Sequence, residues 1–271
     1  MKKFYITNYN VDYPLNKKII LISDIHYYNK KMKSLLDELY LKISLINADY
    51  ICIPGDFIDE RNVYDEEILF DFFKKLGDLC PVIISIGNHE AKSKKDDEDK
   101  LNESFMNSIN KIDNVHLLDN SCWINDNIRF IGLTLPNLAY LEKKDSYKSV
   151  LEILDKYFEN GIRKDKVNIV LSHSPYTLLY PKVQKHKFYK NADLILSGHT
   201  HAGLTPRWLY NLLKHAFITP QKRLFPNNSY GYLKNEKTIV SSGITKLSHF
   251  NPFKYFNFIF NSEIVVINIK K

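Results

Sequence analysis

Five short apolar runs along this chain end in the same way, and their repetition constrains the fold more than any other feature. Each run is rich in Ile, Val or Leu, and an aspartate, an asparagine or a histidine follows it after a small residue or a glycine. The runs are Lys18–Asp24, Tyr50–Asp59, Pro81–His89, Val167–His173 and Ala192–His199. Uninterrupted apolar runs of this length are typical of strands that are covered on both faces. The pattern therefore predicts an α/β protein with polar side chains at the carboxyl edge of its strands, where such sheets place their sites.

The spacing of the first three runs predicts how their strands are connected. Asp24, Asp56 and Asn88 follow one another at intervals of 32 residues, the length of one strand–helix–strand unit. Between them, residues 32–47 and 66–76 carry apolar side chains on a single helical stripe. We therefore predict two helices there, the second beginning after an Asp65 N-cap, and parallel strands on either side of them.

The remaining elements are predicted from shorter patterns. We expect an edge strand over residues 4–16, a charged surface loop over 91–100 and a short helix near 101–112. Residues 115–118 and 128–133 are predicted to be strands of a second sheet, followed by a helix over 147–158 and a closing strand over 263–269. No linker, repeat or shift in composition divides the sequence, so we predict a single domain over residues 1–271.

Charge and cysteine usage limit the compartment and the partners. The net charge is +7, but only five of the basic residues are arginine and the lysines are dispersed, so we expect no nucleic-acid partner. Cys52, Cys80 and Cys122 lack a pairing pattern, which favours free thiols in a reducing compartment. The first ten residues contain no apolar stretch, and no run approaches the roughly 20 apolar residues of a membrane span. We therefore predict a cytoplasmic protein without a signal peptide.

The polar side chains at the strand ends are a candidate metal site. They are Asp24, His26, Asp56, Asn88, His89, His173, His199 and His201. Buried charges without partners are costly, and metal ions would supply partners. Carboxylate, amide and imidazole ligands without thiolates suit Mn, Fe or Zn. Because this set exceeds what one ion needs, we predict two divalent ions that share a bridging carboxylate.

The motifs around these residues resemble those of one known family. They are D-x-H at residues 24–26, G-D-x-x-D at 55–59, G-N-H-E at 87–90, a single histidine at 173 and G-H-T-H at 198–201. Together and in this order they resemble the calcineurin-like metallophosphoesterases. The resemblance implies a four-layer α/β/β/α sandwich of two mixed sheets flanked by helices. It also implies hydrolysis of a phosphodiester, a phosphomonoester or a pyrophosphate by a metal-bridging hydroxide.

The resemblance further implies a role for each motif residue. The first metal ion would be held by Asp24, His26 and His201, and the second by Asn88, His173 and His199. Asp56 would bridge the two ions, and His89 would donate a proton to the leaving group. Asp59 and Glu90 match positions where carboxylates orient metal-bound imidazoles.

The catalytic motifs leave the substrate open. Residues 206–225 and 249–260 combine aromatic and basic side chains, which indicates either peripheral membrane contact or packing as core or as a lid. The layout is similar to the bacterial branch of the family, in which some members are peripheral membrane proteins and some cleave the pyrophosphate of lipid-linked UDP-sugars such as UDP-diacylglucosamine. We therefore expect a phosphorylated small molecule or a lipid-linked substrate. The alternatives are a nuclease, a nucleotide phosphodiesterase or a non-catalytic metal-binding scaffold.

Overall fold

A computed structural model describes most of the chain. The described residues are 4–59, 65–93, 103–141, 145–159, 162–175, 178, 180–205, 209, 229–245 and 262–271. The predicted aromatic and basic segments, 206–225 except Leu209 and 249–260, lie outside the described residues. Among the helices of the described ranges, none combines the length and the apolar composition needed to cross a bilayer.

Strands and helices alternate along most of the described chain. The strands are β1 (Phe4–Asp12), β2 (Lys17–Leu21), β3 (Tyr50–Pro54), β4 (Val82–Ser85), β5 (Val115–Leu118), β6 (Ser121–Asn125), β7 (Ile128–Leu133), β8 (Val167–Ser172), β9 (Leu194–Ser197), β10 (Gly231–Leu233), β11 (Thr238–Val240) and β12 (Ser262–Lys270). The helices are α1 (Lys33–Ser44), α2 (Glu66–Gly77), α3 (Asn88–Ser93), α4 (Glu103–Ile109), α5 (Ser146–Phe158), α6 (Pro181–Gln184) and α7 (Lys187–Asn191). Short 3₁₀ helices cover Lys30–Met32, Asn137–Leu141 and His201–Leu204.

The first sheet contains the strands that precede the first three motifs. Its order is β1-β12-β2-β3-β4-β5, and β2 to β5 are parallel to one another. The predicted edge strand and closing strand are confirmed as β1 and β12. The closing strand lies inside the sheet, parallel to β1 and antiparallel to β2.

One strand lies in a different sheet from the one that we predicted. Val115–Leu118 was expected in the second sheet, but β5 pairs with β4 in the first sheet. The chain changes sheets only after Leu118, at a bend where Asn120 has a φ of 46°. The prediction was wrong because an apolar run of four residues suits a buried strand in either sheet.

The second sheet supports the last two motifs. Its order is β10-β11-β9-β8-β7-β6, with β11, β9, β8 and β7 parallel and a strand antiparallel to its neighbour at each edge. Both sheets are therefore mixed. β3 and β4 are parallel neighbours in the first sheet, and β8 and β9 are parallel neighbours in the second. The residues that follow these strands therefore lie at the carboxyl ends of the strands in each sheet.

The two sheets pack face to face. Leu21 and Cys52 of the first sheet share a buried apolar cluster with Phe130 and Leu171 of the second. Ile20, the neighbour of Leu21 in β2, belongs to a different cluster, because successive side chains of a strand point to opposite faces. Each sheet therefore has one face toward the other sheet and one face toward helices.

Helices cover the outer faces and complete the predicted four layers. On the first sheet, Leu39 of α1 and Phe73 of α2 pack in the cluster that contains Ile20. On the second sheet, Leu154 of α5 and Phe188 of α7 pack in another cluster. The predicted α/β/β/α sandwich is confirmed, as are the amphipathic helices over 32–47, 66–76 and 147–158 to within a few residues at their ends.

The predicted loop over residues 91–100 is wrong at its beginning, because α3 runs from Asn88 to Ser93. The Glu90 carboxylate accepts a hydrogen bond from the Gly87 amide at 2.8 Å. This contact is one half of a capping box, in which an acidic side chain in the first helical turn binds the amide that precedes the helix. The prediction was wrong because a run of charged residues such as 91–100 is typical of a surface loop, and we gave it more weight than the capping residues Gly87 and Glu90.

Candidate metal centre

The predicted site residues converge where the carboxyl ends of the two sheets meet. Hydrogen bonds cross between the sheets at this point. His173, after β8, places its Nδ1 2.7 Å from the carbonyl oxygen of Pro54 at the end of β3. The amide of His199, after β9, donates to both carboxylate oxygens of Asp24 at 3.1 Å. Loops that are distant in sequence are therefore fixed against one another.

Three groups of side chains in this region could each hold a metal ion. They are Asp24–His26–His201, His26–Asp56–His89 and Asp56–His173–His199, and within each group the ligand atoms lie within 4.8 Å of one another. The groups share His26 and Asp56, so they form one continuous set rather than separate sites. Asn88 follows β4 beside His89 and is buried.

Asp56 contacts several of the other predicted residues. Its Oδ2 lies 2.9 Å from His173 Nε2, 3.8 Å from His89 Nε2 and 3.9 Å from His26 Nε2. Its Oδ1 accepts a hydrogen bond from the His89 amide at 2.9 Å. One carboxylate therefore contacts or approaches imidazoles from three loops, which is the geometry that a bridging ligand requires.

Several residues of the site share a left-handed backbone conformation. Asp24, His26, Asp56, His199 and His201 have φ values of 53°, 46°, 50°, 68° and 47°. Non-glycine residues seldom adopt positive φ, and such strain persists where the surrounding structure over-determines it, often at functional sites. The strand-end pattern in the sequence did not predict this feature.

Two glycines allow the carboxylates to approach the backbone closely. A Cβ on Gly87 would collide with Asp56 Oδ1, and a Cβ on Gly198 would collide with Asp24 Oδ2. The glycines of G-N-H-E and G-H-T-H are therefore required because a side chain at either position would displace a carboxylate of the site.

Both buried carboxylates are held in the ionised form. Burial would raise the pKa of Asp56, but the imidazoles of His173 and His89 and the hydrogen bond from His173 bring it well below its usual value. Burial likewise opposes ionisation of Asp24, while His201, His173 and His26 together lower its pKa. The Ser23 hydroxyl also donates to Asp24 Oδ2 at 2.6 Å. The site therefore presents two anionic oxygen ligands.

Three imidazoles of the site differ in the direction in which their pKa is shifted. Burial lowers the pKa of His26 to about 3, and burial together with His173 lowers the pKa of His199 to about 3. Burial acts in the same direction on His173, but the Asp56 carboxylate raises its pKa to about 9. His26 and His199 are therefore neutral at neutral pH, as a metal ligand must be, while His173 carries an extra proton in the metal-free protein.

This difference predicts the number of protons released on metal binding. At pH 7.5 His173 must lose a proton to become a ligand, whereas His26 and His199 have none to lose, so His173 should account for about one proton per chain. Calorimetric Mn²⁺ titrations in buffers of different ionisation enthalpy measure this number. A His173→Gln variant should release about one proton fewer than the wild type, and equal release by the two proteins would contradict the assignment.

Two buried polar atoms without a hydrogen-bond partner indicate that the predicted ligands fit metal ions. His26 Nε2 and Asn88 Oδ1 are buried and make no hydrogen bond within the described part of the chain. Buried polar atoms are rarely left without a hydrogen-bond partner unless a bound ion or water occupies the site. Together with the two ionised carboxylates and the neutral imidazoles, they form a donor set of oxygen and nitrogen atoms without thiolates, which suits divalent Mn, Fe or Zn.

The two predicted supporting carboxylates act on different partners. Asp59 Oδ1 lies 3.8 Å from His89 Nδ1, so it is placed to orient the imidazole of the predicted proton donor. Glu90 accepts hydrogen bonds from the amides of Asp56, Ile58 and Gly87 at 2.8–3.0 Å. It fixes the backbone of two ligand-bearing loops, a role that we did not predict from its position in the motif.

Tyr140 belongs to the site and was missed in the sequence analysis. Its ring centroid lies 5.4 Å from that of His199 and 6.1 Å from that of His173. Burial, and then the charges of Asp56 and Glu90, raise the pKa of the Tyr140 phenol well above its usual value, so it stays protonated. Tyr140 lies in a 3₁₀ helix outside every motif, and no signal in the sequence marks it.

The fold and the arrangement of strand-end ligands define a class of protein, and comparison with known families names it. The chain matches the calcineurin-like phosphoesterase family over residues 17–203. This range contains all five motifs and most of the two sheets. The chain belongs to the calcineurin-like phosphoesterase family, and its overlapping residue clusters indicate a dinuclear site for divalent metal ions.

Individual relatives are more distant. The chain is 29% identical to Cj0846, an uncharacterized metallophosphoesterase of Campylobacter jejuni. The match covers 93% of this chain and 59% of Cj0846. The chain is 26% identical to the DNA polymerase II small subunit of Methanocaldococcus jannaschii over 66% of this chain and 34% of that one. The chain thus spans less than two thirds of the length of these relatives. A dimetal phosphatase structure from Danio rerio is 15% identical, with a TM-score of 0.43, over 69% of this chain and 82% of that one.

Proposed function

We propose that this chain is a two-metal phosphoesterase that hydrolyses a phosphodiester, a phosphomonoester or a pyrophosphate. The observation that supports this most strongly is the convergence of three potential metal-binding groups around the buried Asp56 carboxylate. Family membership supports the same reaction class. A structural carboxylate would need one or two partners, whereas Asp56 lies near imidazoles from three separate loops.

The proposed ligand sets follow the geometry on the two sides of Asp56. Asp24, His26 and His201 would hold the first ion, Asn88, His173 and His199 the second, and Asp56 both. When bound, two divalent ions supply a nucleophile at neutral pH and neutralise charge on the phosphoryl oxygens. The donor set leads us to propose manganese first, with iron and zinc as alternatives.

The residues around the ions would orient the reacting groups. The His173 contact to the Pro54 carbonyl keeps the proton on Nδ1, which leaves Nε2 directed toward Asp56 and the metal position. The Ser23 hydroxyl and the His199 amide hold the Asp24 carboxylate. These contacts fix ligand positions before substrate binds, which lowers the cost of organising the site for reaction.

His89 is the proposed proton donor to the leaving group. Its side chain is 14% exposed, whereas that of His173 is fully buried, so His89 lies at the open side of the site. Its amide is anchored to Asp56, and Asp59 lies beside its Nδ1. This arrangement places Nε2 3.8 Å from Asp56 Oδ2, at the position from which it would protonate a departing alkoxide.

The proposed substrate is a phosphorylated small molecule or a lipid-linked pyrophosphate. Peripheral membrane contact through 206–225 and 249–260 stays a prediction from the sequence. A nuclease is the second candidate, because one relative is named as a DNA polymerase II small subunit.

A substrate panel tests the proposal. Metal-free protein and protein reloaded with Mn²⁺ would be assayed with bis-p-nitrophenyl phosphate, p-nitrophenyl phosphate, UDP-diacylglucosamine and single-stranded DNA. We expect Mn²⁺-dependent hydrolysis of at least one of the first three compounds. Cleavage of DNA alone would favour the nuclease. No turnover of any compound by fully loaded protein would favour a non-catalytic scaffold and would overturn the proposal.

A further inference from the structure

Tyr140 forms part of the wall of the metal centre without being a predicted ligand. It lies in the 3₁₀ helix Asn137–Leu141, which follows β7 at the same edge of the second sheet as His173 and His199. Its ring packs beside both imidazoles, and the helix that carries it also packs against α3, which begins at Asn88. Tyr140 therefore borders His173 and His199, two of the three residues that we assign to the second metal ion.

The hydroxyl of Tyr140 is unusual for a buried tyrosine. The residue is 6% exposed, and its hydroxyl makes no hydrogen bond to any described residue. Buried tyrosines normally place the hydroxyl against a partner, because an unpaired buried donor loses its interaction with water without compensation. Tyr27, which is also buried, by contrast donates its hydroxyl to the carbonyl oxygen of Asp65 at 3.2 Å.

The position of the hydroxyl limits which partner could satisfy it. The neighbouring imidazoles and the Asn88 amide oxygen are directed to metal coordination in the proposed site. A phenol offers one proton to an acceptor, and phosphoryl oxygens are acceptors that carry negative charge. A substrate phosphoryl group bound beside the second ion would bring such an oxygen to this wall.

We propose that the Tyr140 hydroxyl donates a hydrogen bond to a non-bridging phosphoryl oxygen of the substrate on the His173–His199 side of the centre. This inference rests on the proposed phosphoesterase function and adds a substrate-binding residue to it. The hydrogen bond would position the phosphorus relative to the two ions.

The test removes a single oxygen atom. Tyr140→Phe keeps the ring that packs on the two imidazoles and deletes only the hydroxyl. In Mn²⁺-loaded protein we expect kcat/KM for the best substrate of the panel to fall about 10- to 100-fold, the effect of losing a hydrogen bond to a charged group. The dissociation constant for inorganic phosphate, measured by calorimetry, should rise by a similar factor. Metal content and melting temperature should match the wild type.

A control variant separates this role from general loss of a tyrosine. Tyr13→Phe deletes a hydroxyl that donates to Asp193 at 2.6 Å, at the opposite end of β9 from His199. It should leave kcat/KM and phosphate affinity unchanged. Unchanged phosphate affinity in Tyr140→Phe, or loss of metal from it, would overturn the inference.

The two proposals fail in different ways. If the loaded wild type binds phosphate but hydrolyses no compound of the panel, the proposed function fails while the phosphate comparison still tests Tyr140. If the wild type is active and Tyr140→Phe is within twofold of it, only the Tyr140 inference fails.

Discussion

Asp56→Asn should lower kcat by at least about 10³-fold and prevent the protein from holding two metal ions. Metal ions contribute several kcal/mol of charge stabilisation in the transition state, and each 1.36 kcal/mol is a factor of ten in rate. Asn keeps the size of the side chain and can still accept from the His89 amide. What it loses is the negative charge that the two ions would share.

The measurement combines steady-state kinetics with elemental analysis of the same preparations. Asp37→Asn is a suitable control, because it also removes an aspartate charge, from an exposed ion pair with Lys33. Exposed ion pairs contribute about 0–1 kcal/mol to stability, so this variant should keep wild-type activity and metal content. Retention of two ions and near wild-type kcat by Asp56→Asn would show that Asp56 is not the bridging residue.

His89→Gln has the second largest expected effect, and the effect should depend on the leaving group. For an ester with an alkoxide leaving group we expect kcat to fall about 10²- to 10⁴-fold, the usual contribution of general acid catalysis. For p-nitrophenyl esters the loss should be much smaller, because p-nitrophenolate departs without prior protonation. Both ions should stay bound, since His89 is not one of the proposed ligands.

The comparison of two leaving groups on one variant isolates proton donation from other damage to the site. His116→Gln is a matched control, because His116 stacks on Trp123 with ring centroids 4.0 Å apart and belongs to no motif. It should leave both rates unchanged. Equal losses for the alkyl and the p-nitrophenyl substrates of His89→Gln would assign His89 a structural or metal-binding role instead.

Much of the fold and the position of the site could be predicted because both depend on a repeated local pattern. A buried parallel strand is typically an uninterrupted apolar run, and each of these runs ends at a small residue. The residues after those runs, such as Asp24, Asp56 and His173, necessarily emerge at one edge. That edge could therefore be predicted from sequence order, without knowledge of any contact between side chains.

The features that could not be predicted depend on contacts between distant segments. The four apolar residues of β5 suit either sheet, and only pairing with β4 decides between them. The role of Glu90 in fixing two loops requires Gly87 and Ile58 to be neighbours in space. Tyr140 reaches His199 through a 3₁₀ helix that no pattern in the sequence marks.

We propose that two metal ions lie on either side of Asp56. Anomalous diffraction from crystals of Mn²⁺-loaded protein, collected at the Mn absorption edge, tests it most directly. We predict two peaks roughly 3.5–4 Å apart, both in contact with the Asp56 carboxylate, one beside Asp24 and the other beside His199. A single peak at full loading, or two peaks that do not share Asp56, would contradict the account.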